Sequence, residues 1–170
     1  MTTNRELFAK HRNLGAFVET GTCFGRSVKI ALELGFEIIR SVEASPERYE
    51  KCVRLFKGNP QVKLWFGPST EALAAMTGDL PGPVLFWLDA HPSGAGSFGN
   101  DYNDNPAHRQ FNILLDELII IAKRNVADVI LVDDLAPDIE AEARSLFPLA
   151  TITVYDTDEG PNKVMEIVNP

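Results

Sequence analysis

The residues best suited to chemistry in this sequence are carboxylates that follow short runs of apolar and β-branched residues. Five acids are placed in this way, with one histidine close by: Glu19, Glu43, Asp89, Asp133, Asp134 and His91. If the runs are strands of one open parallel sheet, their carboxyl ends meet at one edge, which is where such sheets bind ligands. Carboxylates gathered at that edge would repel phosphate and would favour a cation, an ammonium group or sugar hydroxyls.

The elements that must position these residues alternate between strand-like and helix-like patterns. The predicted strands are 16–19, 37–43, 62–66, 84–88, 129–132, 151–157 and 163–168. The predicted helices, after a short N-terminal helix, are 25–35, 45–56, 71–76, 107–124 and 137–147. Ser69 is expected to cap the helix over 71–76. The wholly apolar runs 84–88 and 129–132 are typical of central parallel strands that are covered on both faces.

The end of the chain breaks this alternation. Only residues 158–162 separate the last two predicted strands, which is too short for a helical crossover. These strands must form a hairpin, so the last strand runs antiparallel. We therefore predict an α/β protein with three α-β-α layers and a Rossmann-like sheet, parallel except for the antiparallel strand of the C-terminal hairpin. No linker interrupts residues 1–170, which we expect to form a single domain.

Composition narrows the range of partners. The 170 residues are 45% hydrophobic and carry a formal net charge of -8. An acidic surface repels a phosphate backbone, so we expect no nucleic-acid partner. The longest apolar stretch, 118–122, is far too short to span a bilayer, and the N-terminal residues are polar, so we expect neither a membrane partner nor a secretory signal. The two cysteines form no disulfide framework or metal-ligand pair, which favours a cytoplasmic protein.

The turn after the first predicted strand has an informative spacing of glycines. Gly21 and Gly25 stand where the backbone must turn tightly or approach a ligand. A dinucleotide fingerprint would have three glycines and would hold a pyrophosphate at the helix N-terminus. Here Glu19 precedes two glycines, and Glu43 ends the next strand, where it could accept hydrogen bonds from ribose hydroxyls. The two acids favour a nucleoside ligand, and a generic tight turn is the alternative.

These residues resemble the motifs of class I S-adenosylmethionine-dependent methyltransferases. Residues 18–22 with Gly25 look like the first motif of that family, and Glu43 matches its ribose-binding acid. Residues 67–69 fall where the family contacts adenine, and the terminal hairpin is also its topology. The resemblance implies S-adenosylmethionine as cofactor, bound by a set of nine residues: Glu19, Thr20, Gly21, Gly25, Ser27, Glu43, Ala44, Ser69 and Asp89. The chain departs from the family at Cys23, where a third glycine is more common.

The second half of the chain resembles magnesium-dependent O-methyltransferases, most closely the sugar O-methyltransferases of the macrocin type. Those enzymes have an acid after the fourth strand and an Asp-Asp or Asp-Asn pair after the fifth, which Asp89, Asp133 and Asp134 match. The resemblance implies Mg²⁺ or another divalent cation at these three residues and a small hydroxylated acceptor, such as a sugar. Where the macrocin type has Asp-x-Asp, this chain has Asp89 and then His91. We therefore predict catalytic roles for both, with His91 accepting the proton of the hydroxyl.

Simpler alternatives accompany these predictions. One acid of the pair 133–134 could cap the following helix. His91 could be an ordinary loop histidine, and we assign no role to His11 or His108. The stretch 91–106 is long for a connection, which favours a substrate loop over a surface excursion.

At the level of function, two alternatives stay open. One is a metal-independent methyltransferase that acts on a nitrogen, protein or RNA acceptor, and the other is a non-catalytic nucleotide-binding domain. The oligomeric state is open as well. A short N-terminal helix and one loop make a small lid, which favours a homo-oligomer in which a second subunit helps to close the site.

Overall fold

The computed structural model describes residues 3–90, 106–157 and 163–170. Its strands are β1 Ala16–Thr20, β2 Ile38–Glu43, β3 Val62–Phe66, β4 Leu85–Leu88, β5 Val129–Val132, β6 Thr151–Asp156 and β7 Lys163–Val168. Its helices are α1 Asn4–Lys10, α2 Arg26–Leu34, α3 Pro46–Leu55, α4 Ser69–Thr77, α5 Pro106–Ala122 and α6 Ile139–Leu146, with a 3-10 turn at Arg12–Leu14. None of these helices combines the length and apolar character needed to cross a bilayer.

The strands form one sheet in the order β3-β2-β1-β4-β5-β7-β6. Strands β1 to β5 pair in parallel, whereas β7 runs antiparallel to both of its neighbours, β5 and β6. This confirms the predicted fold class, including the hairpin that reverses the last strand. Because the five parallel strands share one direction, the segments that follow them all leave from the same edge, which we call the carboxyl edge.

Helices cover both faces of the sheet, and the central strands supply both cores. Alternate residues of a strand point to opposite faces, so Val18 of β1 packs in the core under α4, α5 and α6, whereas Phe17 packs in the core under α1, α2 and α3. All four residues of β4 and all four of β5 are buried. This two-sided burial is the reason why their sequence is apolar without alternation.

Two predicted helix starts were wrong. Helix α4 begins at Ser69 itself, so Ser69 is not its cap; Pro68 holds that position in an extended conformation and makes no side-chain cap. Helix α6 begins at Ile139 rather than 137 because Asp138 has a left-handed φ of 67°. By contrast, α3 starts within one residue of its predicted start at 45: Ser45 caps it, and Pro46 is the first helical residue.

A charged cluster, the Glu166 cluster, joins the N-terminal helix to the last hairpin. Glu166 of β7 is 3% exposed. Its carboxylate accepts hydrogen bonds from Lys10 Nζ at 2.7 Å and Tyr155 Oη at 3.0 Å, and lies 2.6 Å from His11 Nε2. Although burial acts to raise it, the pKa of Glu166 is lowered to about 2 by His11, Lys10 and Tyr155. His11, for which no role was predicted, thus helps to fix α1 to the sheet.

Candidate functional site at the carboxyl edge

The turn after β1 needs its two glycines for different reasons. Gly21 has a φ of +86°, and a Cβ atom there would lie 2.5 Å from the carbonyl oxygen of Asp89. Gly25 has a φ of +73°, and a Cβ atom there would lie 2.7 Å from the ring of Phe56. Cys23, between them, also has a left-handed φ of 51°, a conformation that glycine adopts more readily. A glycine would adopt the same conformation at this position with less strain.

Glu43 ties the β1 turn to the start of α3. The backbone N–H of Cys23 donates to Oε2 of Glu43 at 2.7 Å, and the N–H of Ser45 donates to Oε1 at 2.8 Å. Each carboxylate oxygen can accept a second hydrogen bond. Since Glu43 is 6% exposed and ends β2 at the carboxyl edge, its oxygens could also accept a pair of hydroxyls from a ligand.

Glu19 lies under the same turn as part of a buried hydrogen-bond chain. Ser41 Oγ donates to its Oε2 at 2.6 Å, and the hydroxyls of Ser41 and Thr22 are 2.6 Å apart. Burial raises the pKa of Glu19 to about 8, and the charges of Asp89 and Glu43 add to the shift. Glu19 is therefore mainly protonated at neutral pH, so the predicted group of five charged acids is reduced by one.

Three aspartates come together where β4 and β5 end. The pairing of the strands continues one residue past their ends, because Asp89 N donates to Thr20 O at 3.1 Å and Asp133 N donates to Leu88 O at 3.0 Å. Asp134 has a φ of 48°, and its N–H donates to Oδ1 of Asp133 at 3.0 Å. One carboxylate oxygen from each of the three acids lies within 4.8 Å of the others. Three hard oxygen donors at this spacing fit a divalent cation such as Mg²⁺ or Ca²⁺.

The structure places the remaining predicted residues around these groups. The nine residues predicted to bind the donor all lie at the carboxyl edge or in the turns and helix starts next to it: Glu19, Thr20, Gly21, Gly25, Ser27, Glu43, Ala44, Ser69 and Asp89. Their binding roles stay predictions. The helix-cap alternative for Asp133 and Asp134 was wrong, because Asp138 occupies the cap position of α6. His91 and residues 92–105 of the predicted substrate loop lie outside the described residues, and Pro106, the last residue of that stretch, begins α5.

Glu117 of α5 was not predicted as a site residue. This side chain is 0% exposed and lies near Thr20, Ser69 and Asp89. Burial raises its pKa to about 8, while the Ser69 and Thr20 hydroxyls act in the opposite direction. Those hydroxyls are close by, but within the described part of the chain neither Glu117 oxygen completes a hydrogen bond of good geometry. The sequence did contain one signal for this residue, because Glu117 falls at the helical spacing of the apolar residues that form the buried face of α5.

Comparison with solved structures shows which proteins share this fold. The SAH-bound methyltransferase PaMTH1 of Podospora anserina matches with a TM-score of 0.64 at 16% identity, covering 100% of this chain and 80% of that one. An O-methyltransferase of Bacillus cereus in complex with SAH matches with a TM-score of 0.58 at 17% identity, covering 97% and 78%. A Clostridium thermocellum protein provisionally described as an rRNA methylase gives 0.64 at 13% identity, covering 100% and 99%.

These likenesses establish the fold and no more, because every identity is low. No protein-family model matches the chain, and no curated relative was found. The chain thus has the Rossmann-like fold of these methyltransferases, as the sequence resemblance implied. The macrocin-type subtype stays a prediction.

Proposed function

We propose that this protein is an S-adenosylmethionine-dependent methyltransferase that transfers a methyl group to a hydroxyl of a small acceptor, with the help of a divalent cation. The observation that carries the proposal is the meeting of two groups at one edge. One is the Gly21 turn held by Glu43, and the other is the trio of Asp89, Asp133 and Asp134. The Gly21 turn rests directly on Asp89, so a donor in the turn and an acceptor at the aspartates would be neighbours.

The residues divide the work by their chemistry. Glu43 would accept hydrogen bonds from the ribose hydroxyls of the donor. Gly21, which has no side chain, lets the turn lie directly against the backbone of Asp89. Glu19, largely uncharged, would stabilise the turn rather than pair with the sulfonium. Holding donor and acceptor in line supplies much of the acceleration in such a transfer.

The three aspartates would hold the cation. A bound divalent cation makes a coordinated hydroxyl more acidic and so lowers the cost of deprotonating it. The methyl carbon would pass from sulfur to the acceptor oxygen, and the hydroxyl proton would pass to a base, for which His91 is the candidate. The products are a methyl ether, S-adenosylhomocysteine and one proton. The small hydroxylated acceptor, such as a sugar, follows from the sequence resemblance and is part of the proposal.

Donor binding is tested by calorimetry with S-adenosylhomocysteine. Glu43→Ala should weaken binding at least about tenfold, because it removes the acceptors of two charge-assisted hydrogen bonds. Glu50→Ala is the matched control, since Glu50 is an exposed acid on the adjacent helix α3. Equal affinity in both variants would contradict the donor assignment.

The cation is tested by its own binding and by activity. Asp133→Asn should weaken Mg²⁺ or Mn²⁺ binding and reduce metal-dependent turnover. Asp138→Asn is the control, because Asp138 is exposed five residues away and caps α6 without a side-chain hydrogen bond. Turnover that survives chelation would favour the alternative of a metal-independent transfer to nitrogen, protein or RNA. The description of the Clostridium thermocellum neighbour as an rRNA methylase agrees with an RNA acceptor. Donor binding without any acceptor in a broad screen would favour a non-catalytic domain.

A further inference from the structure

Glu117 is an acid in a place where a stable core would have an apolar residue. Its neighbours on the same face of α5, Leu114, Leu118 and Ile121, are 2%, 0% and 2% exposed and belong to the core. Burying a carboxyl that lacks complete hydrogen bonds is costly, and apolar residues of similar volume often replace buried polar groups without loss of stability. The stability of the free protein therefore does not account for a glutamate at this position.

The groups next to Glu117 belong to the candidate site. Thr20 is the last residue of β1, immediately before Gly21, and its hydroxyl is also buried without a hydrogen bond of good geometry in the described part of the chain. Ser69 is the first residue of α4. Three incompletely bonded oxygens and a serine hydroxyl thus lie together under the carboxyl edge. Buried polar groups of this kind call for a functional or ligand-dependent explanation.

The position of Ser69 indicates which part of a donor it would meet. Gly67 N donates to Glu43 O at 3.0 Å, so the segment leading to Ser69 is joined to the residue proposed to bind ribose. The aspartate trio follows β4 and β5, on the other side of β1 in the sheet. A nucleoside whose ribose lies at Glu43 can therefore reach Ser69 with its base, while the opposite end of the donor is directed to the aspartates.

We propose that Glu117 is a positioning residue for the methyl donor: its buried carboxyl orients the Ser69 hydroxyl, and Ser69 in turn hydrogen-bonds to the nucleoside part of the donor. This inference rests on the proposed function. An uncharged carboxyl suits the role, because it offers one O–H donor and carbonyl acceptors to neighbouring hydroxyls. The raised pKa of Glu117 agrees with that form near neutral pH.

The test combines donor affinity with stability. Glu117→Leu should weaken binding of S-adenosylhomocysteine and of adenosine to the same extent, by about tenfold, with a thermal midpoint equal to or above that of the wild type. Glu117→Gln retains one donor and one acceptor and should stay within about threefold of the wild type. Glu142→Leu makes the same exchange at an exposed position of α6 away from the candidate site and should leave both affinities unchanged.

A double-variant cycle identifies the path through Ser69. If Glu117 acts through that hydroxyl, adding Glu117→Leu to Ser69→Ala causes no further loss of affinity. Losses that multiply, or an unchanged affinity in Glu117→Leu, would overturn the inference. If Glu117→Leu does not fold, Glu117→Met serves in its place. A wild-type protein that binds no S-adenosylhomocysteine would instead refute the proposed function, so the two failures are distinguishable.

Discussion

Replacing Gly21 by alanine tests the contact on which the candidate site depends. The added Cβ would lie 2.5 Å from the Asp89 carbonyl oxygen, 2.9 Å from its carbonyl carbon and 3.2 Å from Ala90 N. All three atoms are backbone, so no side-chain rotation can relieve the overlap. Asp89 would have to retreat by about 0.5 Å to restore even a tight contact, although its N–H is bonded to Thr20 O.

Two costs add in this variant, and a second glycine separates them. Alanine in a left-handed conformation costs about 1–2 kcal/mol, and an overpacked contact costs about 1–3 kcal/mol more. Gly35 has almost the same φ, +85° against +86°, but a Cβ atom there would have no neighbour within 4 Å. Gly35→Ala therefore carries the backbone cost alone.

The free energy of unfolding, measured with urea, should be about 2 kcal/mol lower for Gly21→Ala than for Gly35→Ala, which corresponds to a Tm about 5 °C lower. Because the shift moves Asp89, Gly21→Ala should also weaken Mg²⁺ binding about tenfold, whereas Gly35→Ala should not. Equal stability and equal Mg²⁺ affinity in the two variants would refute the close approach of the β1 turn to Asp89.

Three further predictions concern stability. Glu19 and Glu117 have pKa values of about 8 in the folded protein against an ordinary 4.5, so the folded state binds more protons between these values. In the metal-free protein, the free energy of unfolding measured with urea should therefore fall by about 2 kcal/mol per group as the pH rises from 6 to 8. A rise would refute the raised pKa values of these two groups. Glu166→Gln should cost about 2 kcal/mol and speed amide exchange in α1; unchanged exchange would show that the Glu166 cluster does not hold α1. Arg124→Met removes hydrogen bonds to Asp128 and to the carbonyls of Thr77, Leu80 and Gly82. Chemical unfolding should show that the free energy of unfolding falls by about 3 kcal/mol. The control is Arg144→Met, at an exposed arginine of α6, and an equal fall in both variants would contradict the prediction.

Most of the fold could be predicted from the sequence because local patterns report burial. The apolar run of β4 requires cover on both faces, and the short connection before β7 permits only a hairpin. The order of the strands could not be predicted in this way. Nothing in the sequence of the hairpin indicates that β7 rather than β6 pairs with β5, since that choice depends on contacts across the whole sheet.

The candidate site, like the fold, could be predicted from the sequence only in part. The sequence by itself determined that acids and glycines follow particular strands, and parallel strands necessarily bring those positions to one edge. Only the tertiary structure decided the protonation and bonding of the acids: Glu19 is buried and mostly uncharged, Glu43 is held by two backbone N–H groups, and three aspartates share one space. It also revealed Glu117, whose surroundings come from three different elements. Solvation and hydrogen bonding depend on residues distant in the chain, and no local pattern encodes them.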